Sequence, residues 1–349
     1  MRPLRQLCAL ALGMAFVAAC AAGQDPTLGG GDATSTGAPT SPAAAPTADP
    51  GADPPSTIVG GLPAPAPPPP APPAPAGVDP VLAAVLSEGR PRPAGEPVAL
   101  ATQIVAAERA VRDPATAPDV LAAAGHLQQV AYRLLGDHPE WDAAVLGAAP
   151  VELHDAITRN VAARREFATL ARRVVDTVPA WRIVDPLPAP DLRALYDEAE
   201  ATFGVPWHVL AAVNLVETGM GRIVGLSSAG AQGPMQFIPS TWAAFGMGGD
   251  INDPHDAIMG AANYLAANGG GQGTDGGLDN ALFRYNNANA YVRAVRHYSS
   301  IMAADEATYL GFHAWQIYYR SVAGDLWFPT GYEQAASLPV AEWLAANPQ

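Results

Sequence analysis

Apolar positions recur at intervals of three and four through most of the chain after residue 79. Leu121, Ala124, Leu127, Val130, Ala131, Leu134 and Leu135 follow this spacing, as do Leu153, Ile157 and Val161 and then Phe167, Leu170 and Val174. That period predicts helices that each bury one face. Arg164, Arg165, Arg172 and Arg173 fall mainly on the other face, which predicts a solvated charged surface. The Pro-rich stretch 175–190 contains Trp181 and reads as an extended connector laid on a surface. Asp191 is placed to cap a helix carrying Leu192, Leu195, Tyr196, Ala199 and Phe203, and Gly204 closes it. An apolar stretch from Val205 to Val216 follows, with Pro206 in a first turn and Gly219 and Gly221 as stops, so a helix is expected over about 206–218. The tail from Tyr309 to Tyr332 carries Phe312, Trp315, Tyr318, Tyr319, Trp327 and Phe328, a spacing expected of a helical extension packed onto the preceding domain. No strand pattern of any length appears. The expected fold class is therefore mostly α, with short loops or a small hairpin.

Glu217 is the one acidic residue in the apolar stretch and falls in the last turn of its predicted helix. An anion there is opposed by the negative end of the helix dipole and by apolar neighbours that strip its water, so both effects favour the protonated acid. An ordinary Glu would be about 0.2% protonated at neutral pH; an upward shift of about two units raises that fraction to more than a tenth. Such a group can hand a proton to a leaving oxygen. The plainer readings are an exposed residue at a frayed helix end, or a buried one paired with Arg222.

A loop with a different chemistry follows. Ser227-Ser-Ala-Gly230-Ala231-Gln232-Gly233-Pro-Met235-Gln236-Phe-Ile-Pro239-Ser240-Thr241 combines small residues, which let a ligand approach backbone amides, with the side-chain amides of Gln232 and Gln236. Ser240 or Thr241 is placed to cap the next helix. Further on, Tyr285, Asn286, Asn287 and Asn289 gather an aromatic hydroxyl and several amides at another helix end. A sugar chain is recognised by such neutral donors and acceptors, although each piece alone reads equally as a turn or a core tyrosine.

Composition narrows the setting. Arg2 and Arg5 precede a 16-residue apolar run, Leu7 to Ala22, ending in Val17-Ala-Ala-Cys20. This predicts a secretory signal over 1–19 with a lipobox, after which Cys20 carries a thioether-linked diacylglycerol; the run is shorter than the ~20 residues of a spanning helix. Cys8 lies inside the signal, so neither a disulfide nor a thiolate zinc site is expected in the mature chain. Residues 21–77 hold 16 of the 36 prolines and no aromatic residue. Together with Cys20 the segment 20–78 is therefore expected to be a disordered, partly polyproline tether, with a reach between ~40 Å as a coil and ~170 Å fully extended. All 19 basic residues are Arg, none forms a run, and the net charge of −14 excludes nucleic acid and anionic membrane surfaces as partners. The histidines form no metal-ligand spacing and no Gly-x-Ser-x-Gly motif occurs. No metal and no cofactor is expected.

The ordered set of Glu217, Ser227, Gly230, Ala231, Gly233, Met235, Gln236, Pro239 and Thr241, then Tyr285 with Asn286, resembles the catalytic domain of the bacterial lytic murein transglycosylases, a lysozyme-like group. The resemblance covers about residues 185 to 303 and, with the lipobox, points to a lipoprotein of actinobacterial type. It departs from the family in two places. Thr218 stands where many relatives carry Ser, and Asn287-Ala288 stand where Ala-Gly is usual.

The resemblance implies a lysozyme-like domain over 185–303, preceded by a helical subdomain and connector over 79–184 and followed by an aromatic-rich extension over 304–349. It implies that Glu217 is the single acid and base in cleaving the β-1,4 bond between N-acetylmuramic acid and N-acetylglucosamine, with a 1,6-anhydro sugar as product. Ser227, Gln236 and Tyr285 would hold N-acetyl groups and steady the transition state, Met235 would line the groove, and Gln232 and Asn286 would join the binding set. The implied partner is the peptidoglycan glycan strand, met by a monomer anchored through lipid on the outer face of the cytoplasmic membrane. Two alternatives stand beside this reading. One is a lysozyme-like hydrolase that uses Asp250 or Asp253 as a second carboxylate about 5–10 Å from the acid; capping of a helix beginning near Pro254 accounts for the same aspartates. The other is a non-catalytic wall-binding lipoprotein.

Overall fold

The computed structural model describes residues 77–170 and 174–349. The signal segment, Cys20, nearly all of the Pro-rich tether, and Arg172 and Arg173 lie outside the described residues.

Five helices come first: α1 (Pro80–Glu88), α2 (Pro97–Arg112), α3 (Pro118–Asp137), α4 (Asp142–Ala148) and α5 (His154–Leu170). Proline opens α1, α2 and α3, where its missing N–H leaves no hydrogen bond unmade. After two short strands, β1 (Thr177–Val178) and β2 (Arg182–Ile183), come α6 (Ala189–Phe203), α7 (Trp207–Thr218) and β3 (Ile223–Val224). Then follow α8 (Pro239–Phe245), α9 (Pro254–Ala267), α10 (Asp275–Asn286), α11 (Asn289–Ala304) and α12 (Thr308–His313). The chain ends in a hairpin of β4 (Ile317–Ser321) and β5 (Gly324–Phe328), then β6 (Leu338–Pro339) and α13 (Val340–Ala346). The fold is mostly α, as the apolar spacing predicts.

Helices α2 to α5 and the later ones share one core, while Leu82 and Val85 of α1 belong to a second apolar cluster. Leu100 and Ile104 of α2, Phe167 of α5, the length of α7, Tyr298 of α11 and Trp315 form a single apolar cluster. α5 lies along α11, with Phe167 and Tyr298 stacked at 6.2 Å between ring centroids and Arg293 donating to both oxygens of Glu166 at 2.6 Å each. α3 approaches the chain around α12 so closely that a Cβ on Gly125 would lie 2.5 Å from Ala314 Cβ and 2.7 Å from Gly311 O, and only glycine fits there. Truncating a core leucine such as Leu215, which is fully buried on α7, costs about 2–5 kcal/mol in a core of this kind.

The fold departs from expectation in several places. Arg164 is 3% exposed, so this part of α5 is not a solvated face. Its guanidinium lies 3.8 Å from Asp325, which Arg133 also engages at 2.8 Å, and Arg165 makes two bonds to Asp142 at 2.7 and 2.8 Å. A side chain with a long apolar stem can pack inward when a carboxylate waits there, and apolar periodicity does not register it. The connector after residue 174 is threaded into the fold rather than laid on it. β1 pairs with β6, β2 pairs with β3, and Trp181 is buried with its indole N–H on Leu226 O at 3.1 Å.

Asp191 is not the cap of α6, which begins two residues earlier after Pro188; it sits in the first turn, where its charge suits the helix dipole. Neither Ser240 nor Thr241 caps α8, which Pro239 opens after Ile238.

The tail is the largest correction. Tyr309 and Phe312 on α12, with Trp315 just beyond, do join the core of α7 and α11. Tyr318, Tyr319, Trp327 and Phe328 instead form strands, paired in register Tyr318↔Trp327 and Tyr319↔Leu326, and all except Trp327 join a second apolar cluster with Leu82, Leu127 and Trp181. Ile317, Tyr318 and Tyr319 are all buried in succession, so the alternation that marks a half-exposed strand is missing.

Candidate active site

α7 is built to sink its own last turn. Pro206 starts it, and Gly219 stops it in the left-handed region at φ 62°, donating its N–H to Leu215 O at 3.0 Å while Met220 N reaches Asn214 O at 3.2 Å. Every residue from Val209 to Thr218 is buried, and Glu217 is 1% exposed. An ionised carboxylate so placed has lost its water, at a cost of several kcal/mol that only nearby donors offset. Tyr291 of α11 supplies one, its hydroxyl donating to Glu217 Oε1 at 2.8 Å. Arg222 turns elsewhere, to His313 O at 3.0 Å and Asp185 at 3.9 Å.

Tyr285, at the end of α10, stands beside Tyr291 with its ring parallel at 6.4 Å, and it donates to Met235 O at 2.7 Å. Burial first, and then the Glu217 carboxylate, push both phenols well above their ordinary range, so both remain hydrogen-bond donors throughout the physiological range. Rings of Phe237 at 6.0 Å and Tyr264 at 5.5 Å enclose Tyr285 further.

The loop after β3 is fixed to α7 at the same turn as Glu217. Pro234 O accepts from Thr218 Oγ1 at 2.6 Å and Asn214 Nδ2 at 2.9 Å, and Tyr196 orients that amide by donating to Asn214 Oδ1 at 2.7 Å. Thr218 also accepts from Gly221 N at 3.0 Å. These bonds need a hydroxyl, so Thr serves where Ser is the commoner residue. Within the loop, Ser227 Oγ accepts from Ala229 N at 3.2 Å and Ala231 N at 3.0 Å, and Gln232 pairs with Phe237 through two backbone bonds of 3.0 and 2.9 Å. Gly233, at φ 75°, is required twice over, because a Cβ there would collide with the Ile251 carbonyl. Gln236 is held at φ 51°, an unusual conformation for a residue with a side chain, and its amide donates to Gly233 O at 3.1 Å.

The structure thus brings Glu217, Met235 and Tyr285 together and adds Tyr291. Asn286 is buried at the end of α10, and Asn287 takes a left-handed turn at φ 42°. Ser227 serves its own loop. Gln232 faces a groove of about 360 Å³ lined also by Leu187, Asn214, Met220, Leu226 and Pro234, a set that contains neither Glu217 nor Tyr285.

Asp253 accepts from Asp256 N at 3.0 Å as the N-cap of α9, and Asp250 accepts from Asn252 N at 2.9 Å. Both aspartates are exposed and occupied with backbone, as helix capping demands. Asp253, His255 and Asp256 lie close enough to share an ion, but their oxygens and ring nitrogens already serve the cap and Glu198. Tyr291 and Asn214 are residues at this site that sequence reasoning passes over. The available signal for Tyr291 is its place two residues into the helix that follows the Tyr285-Asn286 pair.

Residues 194–307 match the family model described as the Transglycosylase SLT domain. This segment is a lysozyme-like domain of the lytic transglycosylase kind, and that domain acts on peptidoglycan. Neither the curated proteins nor the solved structures include a match to the chain.

Proposed function

We propose that the chain cleaves the β-1,4 bond between N-acetylmuramic acid and N-acetylglucosamine in peptidoglycan without water, using Glu217 alone as acid and then base. The observation that carries this reading is a water-stripped carboxyl at the end of an apolar helix, touched by a phenol and clasped to a loop rich in neutral amides.

The neutral Glu217 gives its proton to the glycosidic oxygen as the bond from that oxygen to the muramoyl C1 breaks, and the departing glucosamine leaves as an alcohol. Positive charge builds on C1 and the ring oxygen beside the new carboxylate. That carboxylate then takes the proton of the muramoyl C6 hydroxyl while its oxygen bonds to C1, which closes the 1,6-anhydro ring and returns Glu217 to its starting state. Atoms and charge balance with no second carboxylate. Asp250 and Asp253, spent on backbone caps, give no support to a hydrolytic route. Ser227, Gln232, Met235, Gln236, Tyr285 and Asn286 are assigned to the saccharide, with Tyr285 reaching the acid's surroundings through its ring contact with Tyr291 and its bond to Met235 O.

Digestion of purified sacculi in ¹⁸O-water tests the chemistry. Products lighter by one water than their hydrolytic counterparts, and free of ¹⁸O, are expected; labelled reducing ends would establish a hydrolase instead.

We further infer that the protein works on the outer face of the cytoplasmic membrane, held by lipid on Cys20 through the tether. The support is the signal and lipobox pattern; among the described residues no helix is long and apolar enough to cross a membrane. Replacing Cys20 by Ala is expected to move the protein from the membrane fraction to the soluble one.

A further inference from the structure

Leu215 and Gly219, which flank Glu217 at the end of α7, line a core cavity of about 30 Å³ that the reaction just described does not use. Its other walls carry polar groups. Tyr132 and Arg133 come from α3, Asn160 and Arg164 from α5, and Tyr298 from α11. We propose that this cavity is a site for one small monovalent anion, a halide such as chloride, held between the guanidiniums of Arg133 and Arg164.

The balance of charge argues for it. Among the described residues Asp325 is shared by three arginines, Arg320 at 2.6 Å, Arg133 at 2.8 Å and Arg164 at 3.8 Å, and Arg320 also reaches Asp137 at 3.0 Å. Three positive charges thus stand against two negative ones. Each guanidinium has a carboxylate, so what the cluster lacks is a third negative charge rather than a partner. The surplus falls on the inner pair, because the side chains of Arg133 and Arg164 are only 10% and 4% exposed while Asp137 and much of Arg320 face solvent. Salt and water screen the outer pair far better than the inner one. A buried charge without compensation is costly, and an anion in the adjoining space supplies that compensation. Burial first, and then Arg133, push Arg164 well below its ordinary pKa, the direction that crowding of like charges gives. Glu108, which accepts from Tyr132 at this wall, is engaged by Arg112.

Size and lining fit a halide. A water needs about 10–15 Å³ of such space, so the cavity takes roughly two bodies of that size, an anion and one water. The Asn160 Oδ1, buried and accepting no hydrogen bond, is a seat for the water, since a carbonyl oxygen repels an anion. The Tyr298 phenol, which burial keeps neutral and which feels both arginines, offers an O–H to the anion. An ion held there ties α3, α5 and α11 together beside the end of α7 and against Ile317 of β4.

The test compares thermal unfolding of the full chain in sodium chloride and in sodium gluconate at equal ionic strength, which keeps general screening the same while gluconate is too large for the cavity. The midpoint is expected to be about 4 °C higher in chloride and to climb with chloride concentration, as binding to the folded state alone requires. Equal midpoints overturn the proposal. Arg164→Met removes the surplus charge and is expected to erase the difference between the two salts. A difference that survives in this variant belongs to the salt and not to the cavity, and it overturns the proposal as well. If Arg164→Met does not fold, crystals of the parent protein grown in sodium bromide decide the matter. An anomalous bromine peak between Arg133 and Arg164 is expected, and a cavity holding water alone rejects the site.

Discussion

Among the described residues two glutamates lie buried, and both meet a tyrosine hydroxyl. Glu108, on α2, is fully buried and receives Arg112, Tyr132 and Gln128, the last at 2.9 Å. That cluster reaches Trp315 through Gln128 Oε1 at 2.9 Å, so it ties the N-terminal helices to the chain beyond α12. Glu217 is buried to the same degree but meets Tyr291 and a loop suited to sugar, while its nearby Arg222 is turned to Asp185. In sequence both follow apolar residues, Val105-Ala-Ala before Glu108 and Leu215-Val216 before Glu217. Burial alone does not mark an acid that gives up its proton. The chemistry of what reaches the carboxyl decides whether it serves as an anchor or as a reagent.

Paired substitutions separate the two roles. Glu217→Gln is expected to lower release of muropeptides from sacculi by about 10³-fold while leaving the unfolding midpoint nearly unchanged. Glu108→Gln is expected to do the opposite. Removing one charge of the buried Glu108–Arg112 pair should cost about 3 kcal/mol in urea unfolding, with turnover retained in the molecules that remain folded. A Glu108 variant that is stable but inactive would erase the distinction.

A third buried group sharpens the contrast through pH. His126, beside Tyr318 at 2.7 Å, is pulled down by burial to about 3. The folded protein keeps this ring neutral while the unfolded chain takes up a proton near pH 6.5, so stability is complete above about pH 7 and falls as pH drops through 6.5 toward 3. Between pH 7.5 and 5 the loss is expected to be about 2 kcal/mol, read from chemical denaturation at the two values. His126→Gln should flatten that slope without touching the kcat profile. The smallest effect concerns the aspartates: Asp253→Ala is expected to cost about 1 kcal/mol as a lost helix cap and to leave cleavage intact. A collapse of activity comparable to that of Glu217→Gln would restore the two-carboxylate hydrolase.

Much of the candidate site is legible in the sequence, because each piece leaves a local mark. Pro206 and Gly219 bound α7 to within a residue of its span, and the apolar stretch before Glu217 favours its burial over an exposed helix end. The aspartates before Pro254 announced their cap. What escaped was set by contacts distant in sequence. Arg164 looked solvated because Asp325 is 161 positions away, and Tyr291 gave no sign of its partner 74 positions earlier. The β4–β5 hairpin reads as a helix in sequence because its aromatic residues are buried in succession, which hides the two-residue rhythm.

The attachment of Pro234 to Asn214 and Thr218 carries a lesson for anyone rebuilding this domain. A graft that carried only the 227–237 loop onto another scaffold would arrive without its moorings. The stretch from Asn214 to Gln236 is the smallest cassette that brings Glu217, the hydroxyl latch and the loop amides along in one piece.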